Sequence, residues 1–171
     1  MFYLETYSLT KTARSWDSYK DTLIKVLKAF NPYCIFEYGP GESTKIMQEH
    51  PSVISIDTVE HNQAWGAKSK EAFNKKVFLQ QEADEIKYPF VSGRVDKYDL
   101  IFIDGLKRIE CLLLAKFRMP RNGIVILHDA ERNAYIPAIN TFEYKFFTDE
   151  GNTAVLTNDS KTAIKLSEVL W

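Results

Sequence analysis

The sequence has few cysteines, few glycines and no long hydrophobic stretch, and each shortage excludes a class of protein. Its 171 residues include only 2 cysteines. Cys34 and Cys111 form no C-x-x-C pair, so the sequence predicts neither a disulfide framework nor a zinc ribbon. No apolar run approaches the roughly 18 residues that a membrane span requires. The first residues also lack the basic start and cleavage site of a secretory signal, so we expect a cytoplasmic protein without a membrane span.

The chain also lacks an excess of charge of one sign. Its 22 Lys and Arg residues balance 23 Asp and Glu residues, which leaves a net charge of −1. With a pI near 6.3, the composition gives no electrostatic reason for binding nucleic acid. The length and the absence of a linker predict one domain over residues 1–171, with an N-terminal helical segment over 1–32 and an α/β core over 33–171.

Short apolar runs alternate with segments long enough for a helix, which indicates a parallel sheet covered by helices on both faces. Two closely spaced runs near the C-terminus are instead typical of an antiparallel hairpin added to such a sheet. The predicted strands are Cys34–Tyr38, Val53–Val59, Val77–Leu79, Leu100–Ile103, Ile124–Leu127, Tyr144–Phe147 and Thr153–Leu156. The predicted helices run from Ser15 or Asp17 to Ala29 and over Ser43–His50, Gln63–Asn74, Leu106–Phe117 and Lys161–Val169.

Only 7 residues are glycine, and two of them directly follow the first predicted strand. Gly39 and Gly41 allow a tight turn and a close approach of the backbone to a ligand. Ser43 and Thr44 then begin a helix whose N-terminal amides face the same crevice. An ordinary glycine-rich turn explains a lone G-x-G equally well. A dinucleotide fingerprint needs a third glycine at position 44, so Thr44 disfavours a nicotinamide cofactor.

Carboxylates end three of the predicted strands. Glu60 ends the second strand about twenty residues beyond the glycine loop, where a nucleotide-binding sheet holds the ribose hydroxyls; a solvated strand end is the alternative. Asp104 and Asp129 follow the fourth and fifth strands. Parallel neighbours lie about 4.8 Å apart, so the two side chains are expected to converge. The remaining acidic residues Asp57, Asp84 and Asp96 are expected in solvent.

Two converging carboxylates need either a shared proton or a cation. A hard divalent metal, Mg or Mn, held by Asp104 and Asp129 satisfies the second condition. His128 offers a different chemistry, because its imidazole can take a proton from a hydroxyl near neutral pH if either carboxylate orients it. It can equally be a core residue, since neighbouring residues of a strand face opposite sides of the sheet.

Together these segments resemble the class I S-adenosylmethionine-dependent methyltransferases over residues 33–156. The loop E-x-G-x-G-x-S/T, the V-E-H that ends strand two, and the segments 99–105 and 123–132 are similar to that family's strand motifs. They are most similar to small O-methyltransferases of the catechol type and of sugar or polysaccharide methylation. The resemblance implies a Rossmann-like, doubly wound sheet of seven strands in the order 3-2-1-4-5-7-6, ending in an antiparallel hairpin.

The resemblance implies S-adenosylmethionine as the cofactor. Its amino-acid portion would lie against the glycine loop, its ribose against the carboxylate that ends strand two, and its adenine beside the ends of strands two and three. The cofactor-binding residues implied in this way are Glu37, Gly39, Gly41, Ser43, Glu60, His61, Glu82, Ala83 and Asp104.

The implied reaction is an in-line displacement at the sulfonium methyl by a deprotonated acceptor oxygen, with Asp104, His128 and Asp129 as the catalytic residues. In catechol-type enzymes the positions of the two aspartates hold magnesium. Ala130 stands here where those enzymes have an asparagine ligand, so a metal at Asp104 and Asp129 remains an open alternative. The segment over residues 1–32 is expected to cap the acceptor, and the acceptor-binding candidates are Arg14, Trp16, Arg132 and Tyr135.

The expected function is therefore methyl transfer to a hydroxyl of a sugar, a glycan or a similar small molecule, in the cytoplasm or, for a viral protein, in the host cytoplasm. One alternative is a metal-dependent catechol-like or nucleoside methyltransferase. Another is a methyltransferase-like module that binds a nucleotide without catalysis. The sequence gives no indication of the oligomeric state.

Overall fold

A computed structural model describes residues 18–149 and 152–171. Arg14 and Trp16, two of the predicted acceptor-binding residues, lie outside this described part. Within it, no helix combines the length and the apolar character that crossing a membrane requires.

The strands form a single seven-stranded sheet in the order β3-β2-β1-β4-β5-β7-β6, which confirms the predicted topology. The first five pair in parallel, and β7 pairs antiparallel with both β5 and β6. The carboxyl ends of the parallel strands therefore share one edge of the sheet. The strands are β1 (Cys34–Tyr38), β2 (Ser55–Glu60), β3 (Val77–Gln81), β4 (Leu100–Ile103), β5 (Ile124–His128), β6 (Tyr144–Thr148) and β7 (Thr153–Thr157).

Helices cover both faces, and each face has its own apolar core. Residues of α1, α2 and α6 pack on one face, whereas α4, α5 and a 3-10 turn at Tyr88–Phe90 pack on the other. The central strands are buried on both faces, so they lack polar alternation. The helices are α1 (Lys20–Phe30), α2 (Glu42–Glu49), α3 (Gln63–Lys70), α4 (Arg108–Arg118), α5 (Ile136–Ile139) and α6 (Ser160–Leu170).

The helix ends follow from local sequence. Helix α1 ends at Asn31, which adopts a left-handed conformation with φ 48° just before Pro32. The side chain of Asn62 accepts a hydrogen bond from the Trp65 amide at 3.0 Å and so caps α3. Helix α4 begins two residues later than predicted, because Lys107 has φ 49° and turns the chain before the helix can start.

Asp57 is buried rather than solvated, which makes the expectation for this residue wrong. Its carboxylate accepts hydrogen bonds from the Tyr98 hydroxyl and the Arg94 amide, both at 2.6 Å, and pairs with the Arg94 guanidinium. A buried carboxylate is stable only with such partners, and here they tie the segment between β3 and β4 to the sheet. Asp84 and Asp96 are exposed, as expected.

Candidate functional site

Gly39 lets two loops cross at the carboxyl edge of the sheet. Its φ of 88° lies in the left-handed region, and its amide donates to the carbonyl of Val59 at 3.0 Å. A Cβ atom at this position would lie 2.8 Å from the Cα atom of Gly105, in the loop after β4. Both the backbone conformation and the space therefore require glycine at position 39.

Glu37 holds the start of α2 from beneath the glycine loop. Its buried carboxylate accepts hydrogen bonds from the hydroxyls of Ser43 at 2.6 Å and Thr44 at 2.7 Å. Thr44 also accepts the amide of Gly41 at 2.9 Å, so the residue that replaces a third glycine fixes the loop. Burial raises the pKa of the Glu37 carboxyl to about 7, against the two hydroxyl hydrogen bonds, which lower it.

These contacts change how Ser43 can act in a cofactor site. Its hydroxyl points into the protein toward Glu37, and the whole residue is buried. Only its backbone amide, in the first turn of α2, is left to face a ligand in the crevice.

Gly41 lies beside open space, which a ligand could fill. A Cβ atom there would meet only the indole of Trp65, at 4.0 Å. Its φ of −175° is extended, so the backbone itself does not require glycine. The Trp65 indole nitrogen donates to the carbonyl of Pro40 at 2.7 Å, and the residue is 46% exposed. The loop thus leaves an open space beside Gly41, which a larger side chain would fill. S-adenosylmethionine would require such a space.

Glu60 is held at the end of β2 with one carboxylate oxygen engaged. Its Oε1 accepts the amides of His61 at 2.8 Å and Asn62 at 2.7 Å, and the residue is 4% exposed. The Gln81 side chain donates to the Glu60 carbonyl at 2.8 Å. Gly66 of α3 makes room for this contact, because a Cβ atom there would lie 2.3 Å from Gln81 Oε1.

The residues predicted beside an adenine do gather around Glu60. The Glu82 amide donates to the Glu60 carbonyl at 2.9 Å, and Ala83 follows it in an exposed position. The His61 ring packs edge-on against Tyr88, with ring centroids 6.0 Å apart. A partly exposed imidazole, backed by the Tyr88 ring, therefore stands next to the carboxylate.

Asp104, His128 and Asp129 come together at the ends of β4 and β5. The His128 Nδ1 atom lies 2.9 Å from Asp104 Oδ1, and its Nε2 atom lies 3.8 Å from Asp129 Oδ1. One ligand atom from each of the three lies within 4.8 Å of the others. The structure thus brings together the three residues that the sequence predicts as catalytic.

His128 and Asp129 reach the same place because the strand ends between them. His128 is the last residue of β5, and Asp129 adopts φ 54°, a left-handed conformation. Side chains of consecutive strand residues would face opposite sides of the sheet, and the turn at Asp129 breaks that alternation. Aspartate is one of the few residues other than glycine that adopt this conformation readily.

His128 is almost fully buried and has partners on both ring nitrogens. Its side chain is 6% exposed, and its ring packs 4.9 Å from that of Tyr19 at the start of α1. Nε2 lies 3.2 Å from the amide nitrogen of Asn152 and 3.3 Å from the Ser18 hydroxyl. Because an amide nitrogen only donates, Nε2 is the acceptor, and Nδ1 carries the proton that it donates to Asp104.

The guanidinium of Arg108 lies between the two aspartates. It is 3.0 Å from Asp104 Oδ1 and 3.0 Å from Asp129 Oδ2, and its side chain is 11% exposed. Arg132 also donates to Asp129 Oδ2, at 2.7 Å, and to the Tyr135 hydroxyl at 3.4 Å. Arg132 therefore pairs with Asp129.

Sequence reasoning missed several members of this cluster. Arg108 stands four residues after Asp104. A helix that starts close to the end of β4 brings a side chain at this spacing near Asp104, so the spacing was a usable signal. Ser18 and Asn152 left no signal, because they reach His128 from positions 110 and 24 residues away along the chain.

No protein family matches the sequence, and no curated protein matches it. Solved structures do resemble it. A methyltransferase-like protein from Silicibacter pomeroyi superposes with a TM-score of 0.63 at 17% identity, over 95% of this chain and 96% of that one. The O-methyltransferase from Bacillus cereus, in complex with SAH, gives 0.62 at 13% identity, over 85% and 84%.

A solved structure that is not named as a methyltransferase also resembles the chain. Spermidine synthase from Thermotoga maritima superposes with a TM-score of 0.60 at 12% identity, over 92% of this chain and 64% of that one. At such identities the comparisons establish architecture, and the chemistry has to come from the site. The chain has the Rossmann-like fold of the class I S-adenosylmethionine-dependent methyltransferases.

Proposed function

We propose that this protein is an S-adenosylmethionine-dependent O-methyltransferase that acts on a hydroxyl of a sugar, a glycan or a similar small molecule. One observation carries the proposal: the glycine loop after β1 touches the loop after β4 at Gly39 and Gly105. Gly105 directly follows Asp104, which belongs to the carboxylate and histidine cluster. A cofactor in the glycine loop would therefore lie next to groups that can hold an acceptor and take its proton.

The cofactor half of the site would bind S-adenosylmethionine through three regions, one for each part of the cofactor. When bound, this cofactor supplies an electrophilic methyl group on a sulfonium. The space beside Gly41 would take its amino-acid portion, with the first amides of α2 nearby. Glu60 Oε2 would accept its ribose hydroxyls, because Oε1 already accepts two backbone amides. His61 and Ala83 would border its adenine.

We assign the proton-accepting atom to Asp129 Oδ1. The other oxygen of this carboxylate accepts hydrogen bonds from Arg108 and Arg132, which fix its orientation. Asp129 keeps a quarter of its side chain exposed, whereas His128 is nearly buried with both nitrogens engaged. The acceptor oxygen would form a bond to the methyl carbon as the sulfonium C–S bond breaks, and its proton would move to Oδ1.

The acceptor would be held by residues around this cluster. Arg132 and Tyr135 lie on its rim and present a guanidinium and a hydroxyl. The Arg132 side chain is 56% exposed, and Tyr135 is partly exposed. Ser18, the first residue that the structure describes, contacts His128. We propose that Trp16 and Arg14 contribute to acceptor binding, as aromatic and cationic groups do for sugars.

Calorimetric titration tests the cofactor half. We expect S-adenosylhomocysteine to bind in the micromolar range, NAD to bind far more weakly, and Gly41→Leu to abolish binding while the protein stays folded. The proposal is wrong if S-adenosylhomocysteine does not bind to the folded wild-type protein.

Methyl transfer from labelled S-adenosylmethionine to a panel of sugars, glycans and catechols tests the acceptor half. Asp129→Asn should lower the rate by about 10²- to 10⁴-fold with cofactor affinity unchanged. Asp96→Asn is the matched control, since Asp96 is exposed and lies outside the cluster. Cofactor binding with no transfer to any acceptor would favour a non-catalytic binding module instead.

A further inference from the structure

The Arg108 guanidinium makes more contacts at the ends of β4 and β5 than an ordinary ion pair requires. Besides the two carboxylates, it donates to three backbone carbonyls: Gly105 at 2.9 Å, His128 at 2.6 Å and Asp104 at 3.2 Å. These acceptors lie at the end of β5 and in the loops after β4 and β5, which carry the catalytic candidates. The donors of the planar Arg108 guanidinium are therefore hydrogen-bonded in several directions, which fixes the position of the side chain.

The place that Arg108 occupies is the one that a shared cation would need. A divalent cation bound by Asp104 Oδ1 and Asp129 Oδ2 would lie about 2.1 Å from each oxygen if it were magnesium. The Arg108 nitrogens already lie 3.0 Å from those same two oxygens. Asp104 Oδ1 also accepts from His128, and Asp129 Oδ2 also accepts from Arg132, so each oxygen already has two donors. A metal ion that used both oxygens would have to displace a donor from each.

Charge balance points in the same direction. Arg108 and Arg132 contribute two positive charges, and Asp104 and Asp129 contribute two negative charges, so the cluster has a formal charge of zero with neutral His128. A divalent ion would enter a site whose carboxylates are already compensated. It would also meet a guanidinium at direct-contact distance, and the two positive charges would repel each other.

We propose that Arg108 is the built-in cation of this site and takes the place of a divalent metal between Asp104 and Asp129. The inference rests on the proposed function only in that the two aspartates form the acceptor half of the site. Arg108 acts as a positioning residue: it sets the separation of the two carboxylates and keeps Asp129 Oδ1 directed toward an acceptor. A direct consequence is that its removal uncovers a cation site made of Asp104, His128 and Asp129.

Mn²⁺ binding, followed by electron paramagnetic resonance, tests the proposal without any methyl transfer. We expect no stoichiometric Mn²⁺ binding by the wild-type protein. Arg108→Ala should bind one Mn²⁺ at least about tenfold more tightly, a difference that corresponds to about 1.4 kcal/mol. The gain should disappear in Arg108→Ala/Asp129→Asn. Lys107→Ala is the matched control, because it removes a neighbouring charge that contacts Glu85 rather than the aspartates.

Arg108→Gln provides a second variant that retains hydrogen-bond donors, in case Arg108→Ala does not fold. It should also acquire Mn²⁺ binding. The proposal is overturned if wild-type protein binds one Mn²⁺ as tightly as either variant and loses it in Asp104→Asn or Asp129→Asn. It is equally overturned if folded variants gain no affinity. Failure of the proposed function would appear separately, as absent S-adenosylhomocysteine binding in the wild-type protein.

Discussion

The two halves of the carboxyl edge are held together over very different distances along the chain. In the glycine-loop half, the hydrogen bonds that fix Glu37 and Gly41 join residues 3 to 7 positions apart. In the aspartate half, the hydrogen bonds that join the end of β4 and the start of α4 to the end of β5 span 20 to 24 positions, and the contact between Ser18 and His128 spans 110. The first half is a local structure built on backbone conformation, whereas the second is a charged cluster that exists only once β4 and β5 are paired.

The largest effect is expected where the two halves touch. Gly39→Ala places a methyl group in a left-handed backbone conformation and against the backbone of Gly105. We expect the free energy of unfolding to fall by about 2–4 kcal/mol, through backbone strain and steric overlap. Urea denaturation measures the change.

Gly41→Ala is the matched control within the same loop. Its new methyl group would meet only Trp65, at 4.0 Å, so the unfolding free energy should change by less than about 1 kcal/mol. Equal destabilisation by the two substitutions would show that the loops do not cross as described.

The next effect concerns the pH dependence of stability. The pKa of Glu37 rises from 4.5 to about 7 on folding, because the carboxyl group is buried. The folded state therefore favours the protonated form, and this contribution to stability is present below pH 4.5 and lost as pH rises through 7. It amounts to about 3 kcal/mol. Glu37→Gln should lose this dependence, so the variant should gain stability relative to wild type between pH 5 and pH 8.

Urea denaturation of both proteins at several pH values isolates the contribution of Glu37, because the other titrating groups are common to the two. If the difference in unfolding free energy stays constant from pH 5 to pH 8, Glu37 is not a buried carboxyl group with a raised pKa.

A smaller effect is expected for cofactor affinity. Glu60→Gln keeps an oxygen for the amides of His61 and Asn62 but removes the charge that would bind the ribose. We expect about tenfold weaker binding of S-adenosylhomocysteine, or about 1.4 kcal/mol, by calorimetry. Glu71→Gln, on an exposed residue just after α3 that is outside the proposed site, should leave affinity nearly unchanged. Equal losses would indicate general electrostatics rather than a contact by Glu60.

The smallest effect separates the two arginines of the aspartate half. Arg132 is 56% exposed, so its pair with Asp129 is screened by solvent. Arg132→Ala should lower the unfolding free energy by less than about 1 kcal/mol in thermal or urea denaturation. A loss of several kcal/mol would mean that Arg132 shares the structural role that we assign to Arg108.

The sequence was sufficient for the order of elements because the signals for each one are local. The bounds of β1 and β4 are as predicted, since β4 is a continuous apolar run and β1 is apolar except for Glu37. The end of helix α3 differs from the prediction because residues that are distant in the sequence contact the chain there. Helix α3 ends at Lys70, and Gln48 then holds the following residues by bonding to Ala72 and Asn74. Asp57 was misjudged for the same reason, because Arg94 comes from a segment 37 residues away.

The distinction between local signals and contacts between distant residues also applies to the site. Gly39 and Glu60 could be placed from spacing, because each stands at a fixed distance from a strand end, whereas Glu37 was indicated only by the family resemblance. The cation between the aspartates could not, because Arg108 reaches Asp129 only across paired strands. The orientation of His128 depended on the left-handed turn at Asp129, which a strand pattern does not reveal.

That left-handed turn restricts what evolution or a mutagenesis library can place at position 129. Aspartate, asparagine and glycine tolerate a φ of 54°, whereas β-branched and bulky residues are strongly disfavoured there. Variants that keep the β5 loop intact should therefore be restricted to a carboxylate, an amide or no side chain. A saturation library scored for folding alone should recover this short set, and a second selection for activity should retain the aspartate.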